Sequence, residues 1–132
     1  MPRVTIEKTY HLPIYQHGTY DAPSVEAACR QALEDDDWEH SKEDYDTPGQ
    51  TYITGIWSGE NAAYKGEAIP VPSNYDEAIQ RKAAHFDTLI AVLSEAARPL
   101  GLSHADFDLW LPRAQAALAK ADAIREGLPD PT

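Results

Sequence analysis

The residues best able to do chemistry in this chain are one thiol, five histidines and 22 carboxylates. Cys29, the single cysteine, could serve as a nucleophile with His11 or His17 as its base, since an adjacent imidazole converts a thiol to the reactive thiolate. No nucleophile elbow or protease signature surrounds it, however. It also falls on the apolar face of a predicted helix, where a small thiol packs as core. His11 and His17 flank a predicted turn and, with Asp21, offer metal-ligand types. Yet His-x5-His is not a ligand spacing, and no His-Glu-x-x-His occurs. Surface or hydrogen-bonded roles fit these histidines better, and His85 and His104 stand isolated further along.

Asp44, Asp46, Pro48 and Gly49 fit positions 1, 3, 5 and 6 of a calcium loop only in part. Position 5 is Pro, and position 12 is Gly55 where a bidentate acid is required. What remains of a metal reading is a weak, non-specific divalent site. Neither Gly-x-x-x-x-Gly-Lys-Ser/Thr nor Gly-x-Gly-x-x-Gly is present, so no phosphate-cradling loop and no cofactor is expected. The 22 carboxylates do not reveal from sequence which of them converge, so no glycosidase-type acid pair can be chosen. The expectation is a protein that is not an enzyme.

The acidic residues are nevertheless unevenly placed. Between Glu34 and Asp46 stand eight acids against Lys42 alone, a net −7 within a chain of net −11. A solvated, solubilising loop is the ordinary account of such a run. Trp38 and Tyr45 lie inside it, and aromatics interleaved with carboxylates are what an anchored, electrostatically steered interface uses against a basic partner. On that second account the binding residues are Asp35, Asp36, Asp37, Trp38, Glu39, Glu43, Asp44, Tyr45 and Asp46.

Several elements must position this loop. Val4, Ile6, Tyr10, Leu12 and Ile14 alternate with Thr5, Glu7, Thr9, His11 and Pro13, the period of a half-buried strand over 4–14, with Pro13 marking an edge or bulge. His17-Gly18 suggests a turn and Thr19–Ala22 a short return strand. Ser24 then caps a helix whose Val25, Ala28, Cys29, Ala32 and Leu33 share one face. After the acidic run and Pro48-Gly49, residues 51–57 read as a strand, with a weaker one over 62–65.

Pro70-Val71-Pro72 is a stiff connector, beyond which the period becomes helical. Ile79, Ala83, Phe86, Ile90, Leu93 and Ala97 are spaced 4, 3, 4, 3, 4, and either Ser73 with Asp76 or Asn74 with Glu77 forms the opening cap. Pro99 and Gly101 end this helix. Ser103 with Asp106 opens a second, carrying Trp110, Ala114, Ala117, Ala121, Ile124 and Leu128 on one face. Pro112 kinks or restarts it, and Gly127 stops it. The alanine-rich face allows close approach, so the two helices form an antiparallel hairpin.

The predicted fold is therefore α+β. Residues 1–69 form a small β-rich unit with one short helix, an antiparallel sheet and the acidic loop 34–46. Residues 70–73 connect it to a helical hairpin over 74–132, the two packed as one compact domain. At 132 residues with 42% hydrophobic and 25% charged side chains, the chain has ordinary globular composition. Net charge splits −8 before residue 74 and −3 after it. So acidic a chain disfavours direct contact with nucleic acid or an anionic membrane. The opening residues lack the apolar core of a signal peptide, no apolar stretch spans a bilayer, and a lone cysteine forms no internal disulfide, so the cytoplasm is the expected compartment.

The stretches His11-Leu-Pro-Ile-Tyr15, Ser24-Val-Glu-Ala-Ala-Cys29, Thr51-Tyr-Ile-Thr-Gly-Ile-Trp57 and Gln80-Arg-Lys-Ala-Ala-His-Phe86 resemble small accessory proteins of proteobacterial plasmids and other mobile elements. In size and charge the chain is also similar to the acidic proteins such elements direct against host defence, DNA mimics and anti-CRISPR proteins among them. That resemblance implies an inhibitor occupying a basic, nucleic-acid-binding surface of a protein partner, and it brings no catalytic residues. Two alternatives stand beside it: a small enzyme using His11, His17 and Cys29, or a scaffold that homodimerises through the 79–97 stripe.

Overall fold

A computed structural model describes residues 2–132. The fold is α+β: strands β1 (Val4–Thr9), β2 (Ile14–Tyr15), β3 (Lys42–Glu43) and β4 (Tyr52–Ser58), with helices α1 (Val25–Glu34), α2 (Ala78–Ala96) and α3 (His104–Glu126). The strands make two antiparallel pairs, β1 with β4 and β2 with β3. The chain groups into two compact units, one running up to Thr9 and again from Gln50 to Thr132, the other covering Tyr10–Gly49. Residues 70–73 thus lie inside the first unit, where the Ala78 backbone N–H donates to the Gln50 side chain at 2.8 Å and ties the start of α2 to the residue leading into β4.

The strand expected across 4–14 ends at Thr9, and Ile14 and Tyr15 pair instead with Glu43 and Lys42. Alternation along β1 survives, with its sense reversed. Val4 and Ile6 are exposed, whereas Thr5, Glu7 and Thr9 are half-buried. The turn after β4 supplies the reason. Thr5 Oγ1 donates to the Gly59 carbonyl at 2.8 Å and accepts from Ala62 N–H at 3.0 Å. Glu7 accepts from Thr54 Oγ1 at 2.6 Å and the Tyr64 hydroxyl at 2.7 Å, contacts that hold its carboxyl below the usual range, Thr54 foremost. Tyr64 in turn stacks on buried Trp57, ring centroids 4.7 Å apart. A polar face with every group bonded is thereby covered, and the apolar face is left out.

Residues 62–65, expected as a strand, form this turn, with Asn61 and Tyr64 at positive φ. Residues 19–22 are likewise without strand structure. Neither capping box opens α2: Ser73–Tyr75 is a single 3-10 turn and Glu77 precedes α2 without a side-chain cap bond. The Ser103 cap of α3 does form, accepting from Asp106 N–H at 3.1 Å. Helix α3 continues through Pro112 and stops at Gly127, whose φ of 70° suits a residue without a Cβ. Leu128 N–H returns to Ala123 O at 2.9 Å there.

The helices α2 and α3 pack antiparallel, since Arg81 meets Leu128, His85 meets Ala117 and Val92 meets Trp110. Helix α3 presents the predicted face, with Ala114, Ala117 and Ile124 buried. Helix α2 does not. Its buried positions are Arg81 and His85, while Ile79, Phe86, Ile90 and Leu93 point outward. Arg81 donates to Leu128 O (2.8 Å) and Asp130 Oδ1 (2.9 Å), His85 Nε2 to Ala117 O (2.8 Å), and Trp110 Nε1 to Val92 O (2.8 Å).

Two stability measurements check this arrangement. A Cβ on Gly55 would lie 2.3 Å from the Trp57 ring, so Gly55→Ala expels Trp57 and Tyr64 from their stack and costs roughly 1–3 kcal/mol in urea unfolding; an unchanged midpoint and near-UV spectrum would refute that packing. The hydrogen bond from Arg81, more than the charges of Lys120 and Arg81, holds the Asp130 carboxyl below its ordinary value of 3.8. A depressed acid stabilises the fold above its unfolded pKa and loses that contribution as pH falls through the lower, folded value. Asp130→Asn is therefore less stable than the parent at neutral pH, and the gap in urea midpoint closes on acidification to about pH 2.

Candidate functional site

The acidic run belongs to the Tyr10–Gly49 unit, where local hydrogen bonds set its path. Asp35 follows α1, accepts Asp37 N–H at 3.0 Å through Oδ1 and the Tyr20 hydroxyl at 2.9 Å through Oδ2. Asp37 repeats the device on Glu39 N–H at 2.9 Å. Short carboxylates that bond the backbone two residues on turn the chain without a helix or strand. The Gln16 amide donates to Glu39 O at 2.7 Å. Lys42 and Glu43 then pair with Tyr15 and Ile14, so a two-residue strand stands inside the segment expected to be all loop. Asp44 ends it, donating its N–H to Pro13 O at 2.9 Å and accepting from Thr47 Oγ1 (2.6 Å) and Asp46 N–H (2.9 Å).

These bonds act on the ionised carboxylates. Asp35 is held below the usual range chiefly by Asp37 N–H and then by Tyr20, and Asp44 chiefly by the Thr47 hydroxyl and then by Asp46 N–H. Conversely, the Tyr20 and Tyr45 hydroxyls are pushed up because they donate to Asp35 and Glu43. Asp35 and Asp44 are thus held as anions by their local donors. Asp35, Asp36, Asp37, Trp38, Glu39, Glu43, Tyr45 and Asp46 are exposed, and Asp44 is partly covered.

Helix α1 forms as its pattern predicts, with Ser24 Oγ accepting Ala27 N–H at 3.1 Å. Its apolar face is not core. Val25, Ala28, Cys29, Ala32 and Leu33 line an open groove of about 480 Å³ whose other walls include Tyr20 and Trp38. Cys29, expected to pack inside, is exposed. Ten residues of helix attached to two-residue strands provide no second apolar layer to cover that face. The groove escaped the sequence reading, although the spacing of its residues on α1 was plain, because a stripe shows which residues share a face and not what covers it.

Neither His11 nor His17 lines the groove that contains Cys29; His17 packs beside Tyr15, ring centroids 5.5 Å apart. Among the described residues, no three His, Cys, Asp or Glu side chains converge as metal ligands. A second groove, about 510 Å³, lies between α2 and α3 and includes His85, Glu95, Arg113 and Lys120. Its charged groups are already engaged: Arg113 with Glu95 at 2.8 Å, Lys120 with Asp130 at 3.9 Å, and His85 with Ala117 O. No helix among the described residues is long and apolar enough to cross a membrane. No family model, no curated protein and no solved structure matches this chain.

An exposed thiol is directly testable. The native protein should react with a disulfide reagent at about the rate of a small free thiol, whereas a buried cysteine waits for unfolding. Protection of more than about tenfold would mean that the α1 groove is covered in solution.

Proposed function

We propose that this protein is a non-enzymatic acidic binding protein whose 34–46 segment occupies a basic, nucleic-acid-binding surface of a protein partner, in the manner of DNA mimics and anti-CRISPR proteins. The observation carrying this reading is the adjacency, within one unit, of fixed carboxylates and uncovered apolar surface: Asp35 and Trp38 both line the open α1 groove. Exposed carboxylates stand in for phosphates and steer a basic partner, raising its association rate. Trp38 and the groove then supply the dehydrated centre that charge alone lacks. An inhibitor of a basic toxin would use the same electrostatics. The cytoplasm suits such a role, because its reducing conditions keep exposed Cys29 a thiol.

Poly-L-arginine, with duplex DNA as its competitor, is a defined probe. Joint neutralisation of Asp35, Asp36 and Asp37 to Asn should slow association about tenfold at low salt. A control triple of equal charge change, Glu67→Gln with Asp108→Asn and Glu126→Gln, should slow it far less. Affinity should fall steeply above ~0.15 M salt, where screening acts within ~8 Å, and Trp38→Ala should mainly hasten dissociation. Equal slowing by both triples would reduce the acidic run to a solubilising loop.

A further inference from the structure

We infer that the outer edge of β1 pairs antiparallel with the same edge of a second copy of this chain, with Thr5 on the two-fold axis. The directions of the backbone groups of β1 follow from β4. Ile56 O accepts from Ile69 N–H at 2.9 Å and Ser58 N–H donates to Glu67 O at 2.9 Å, so these two residues of β4 face away from β1. In an antiparallel pair, opposite residues are either both bonded across the ladder or both turned away from it. Ile56 stands opposite Ile6, and Ser58 opposite Val4. The N–H and C=O groups of Val4 and Ile6 therefore point out of the open side, while Thr5 and Glu7 bond to Trp57 and Gly55. The bond from Gly59 N–H to Arg3 O at 2.9 Å keeps the same phase. Among the described residues β4 is the one strand beside β1, and the apolar side chains of Val4 and Ile6 are exposed.

Donors and acceptors repeated at every second residue are matched by another extended strand, and the residues of β1 make that strand its own. Different registers bring the outward groups of two copies together. Val4 opposite Val4 sets Ile6 against Pro2, which has no N–H to give. Ile6 opposite Ile6 sets Val4 against Lys8. Val4 opposite Ile6 of the second copy has neither fault. Each such pair exchanges both backbone hydrogen bonds and apposes two β-branched side chains. Thr5 then meets Thr5 on the axis, and Arg3 meets Glu7 at either end. These pairs fall at the non-hydrogen-bonded positions, where side chains approach most closely and where threonine pairs and opposite charges stabilise a ladder. The Arg3 side chain is 71% exposed beside Glu60 and open to a second carboxylate. Each Glu7 oxygen accepts one hydrogen bond within its own chain, from Thr54 or Tyr64, and keeps a lone pair for it. A two-fold interface requires such a self-complementary patch. The joined sheet has the order β4–β1–β1–β4, which gives the marginal two-stranded ladder a continuous extension. So short an edge covers less than the ~800 Å² per partner of a stable interface, so the dimer is weak, with a Kd on the order of hundreds of micromolar.

Sedimentation equilibrium of the full chain tests the inference. Between ~10 µM and ~1 mM the average mass should rise from near that of one chain toward twice it. Ile6→Pro removes an outward N–H where an edge strand tolerates proline, and should abolish the rise while circular dichroism is retained. Arg3→Glu, which sets like charges opposite at both ends, should weaken the dimer roughly tenfold. Disulfide trapping reads the register. With Cys29→Ser removing the native thiol, Val4→Cys protein mixed with Ile6→Cys protein should cross-link about tenfold faster than either alone, because like positions lie beyond the ~7 Å that a disulfide spans. A parent that stays monomeric to ~1 mM overturns the inference. So does a dimer that persists in folded Ile6→Pro, as association through the exposed α2 stripe would. If Ile6→Pro fails to fold, the disulfides decide: equal cross-linking in the mixed and single samples overturns the pairing. None of these results bears on poly-L-arginine binding by residues 34–46.

Discussion

A guanidinium and an imidazole decide which way α2 faces. Arg81 and His85 are buried against α3, and both are satisfied there by Leu128 O, Asp130 and Ala117 O. Unpaired in an apolar setting, each would cost on the order of 1–3 kcal/mol, more for the charged group. The apolar stripe on the far side offers a gain of about 1.5–3 kcal/mol per large side chain buried. The two faces are therefore of comparable worth, and one partner helix can cover only one of them. Covering both needs a second apolar surface, which a single α2–α3 pair does not contain.

The same competition recurs in β1. Thr5 finds its hydrogen-bond partners in the turn that follows β4, and Glu7 finds its partners in Thr54 of β4 and Tyr64 of that turn, where Tyr64 lies against Trp57. Val4 and Ile6 are consequently left on the open side. In both elements the polar side has partners within its own unit, while the apolar side has too little neighbouring structure to bury it. Hydrogen bonds are directional and need only one good acceptor each. Hydrophobic burial needs area, which two-stranded ladders and one helix pair supply sparingly.

Two surfaces with separate physics result. Residues 34–46 carry carboxylates whose path is set by short loop hydrogen bonds, and Asp35 and Trp38 line the open α1 groove. The α2 stripe is apolar, and its residues are exposed. Since the Cys29 face of α1 is the groove wall, the features first read as core are the ones left available for contact.

Much of the local structure was legible in residue types. Ser24 and Ser103 announce helix starts, Gly127 a helix end, and the alternation within 4–14 and the β-forming residues of 51–57 the longer strands, because caps, positive φ and periodicity act over a few residues. The α+β class followed from the change of period. The nine proposed contact residues were legible as a charge run with two aromatics, although the groove beside them was not. Pattern alone does not give sidedness: the apolar residues Val4 and Ile6 of β1 and Cys29 of α1 turn outward, and the α2 stripe faces away from α3. Periodicity identifies residues that share a face, whereas the face that turns inward depends on which distant groups complete the hydrogen bonds of the other. Arg81 needs Asp130, Glu7 needs Tyr64 and Asp35 needs Tyr20. Such pairings join residues 15 to 57 positions apart, and only the folded chain brings them within bonding distance.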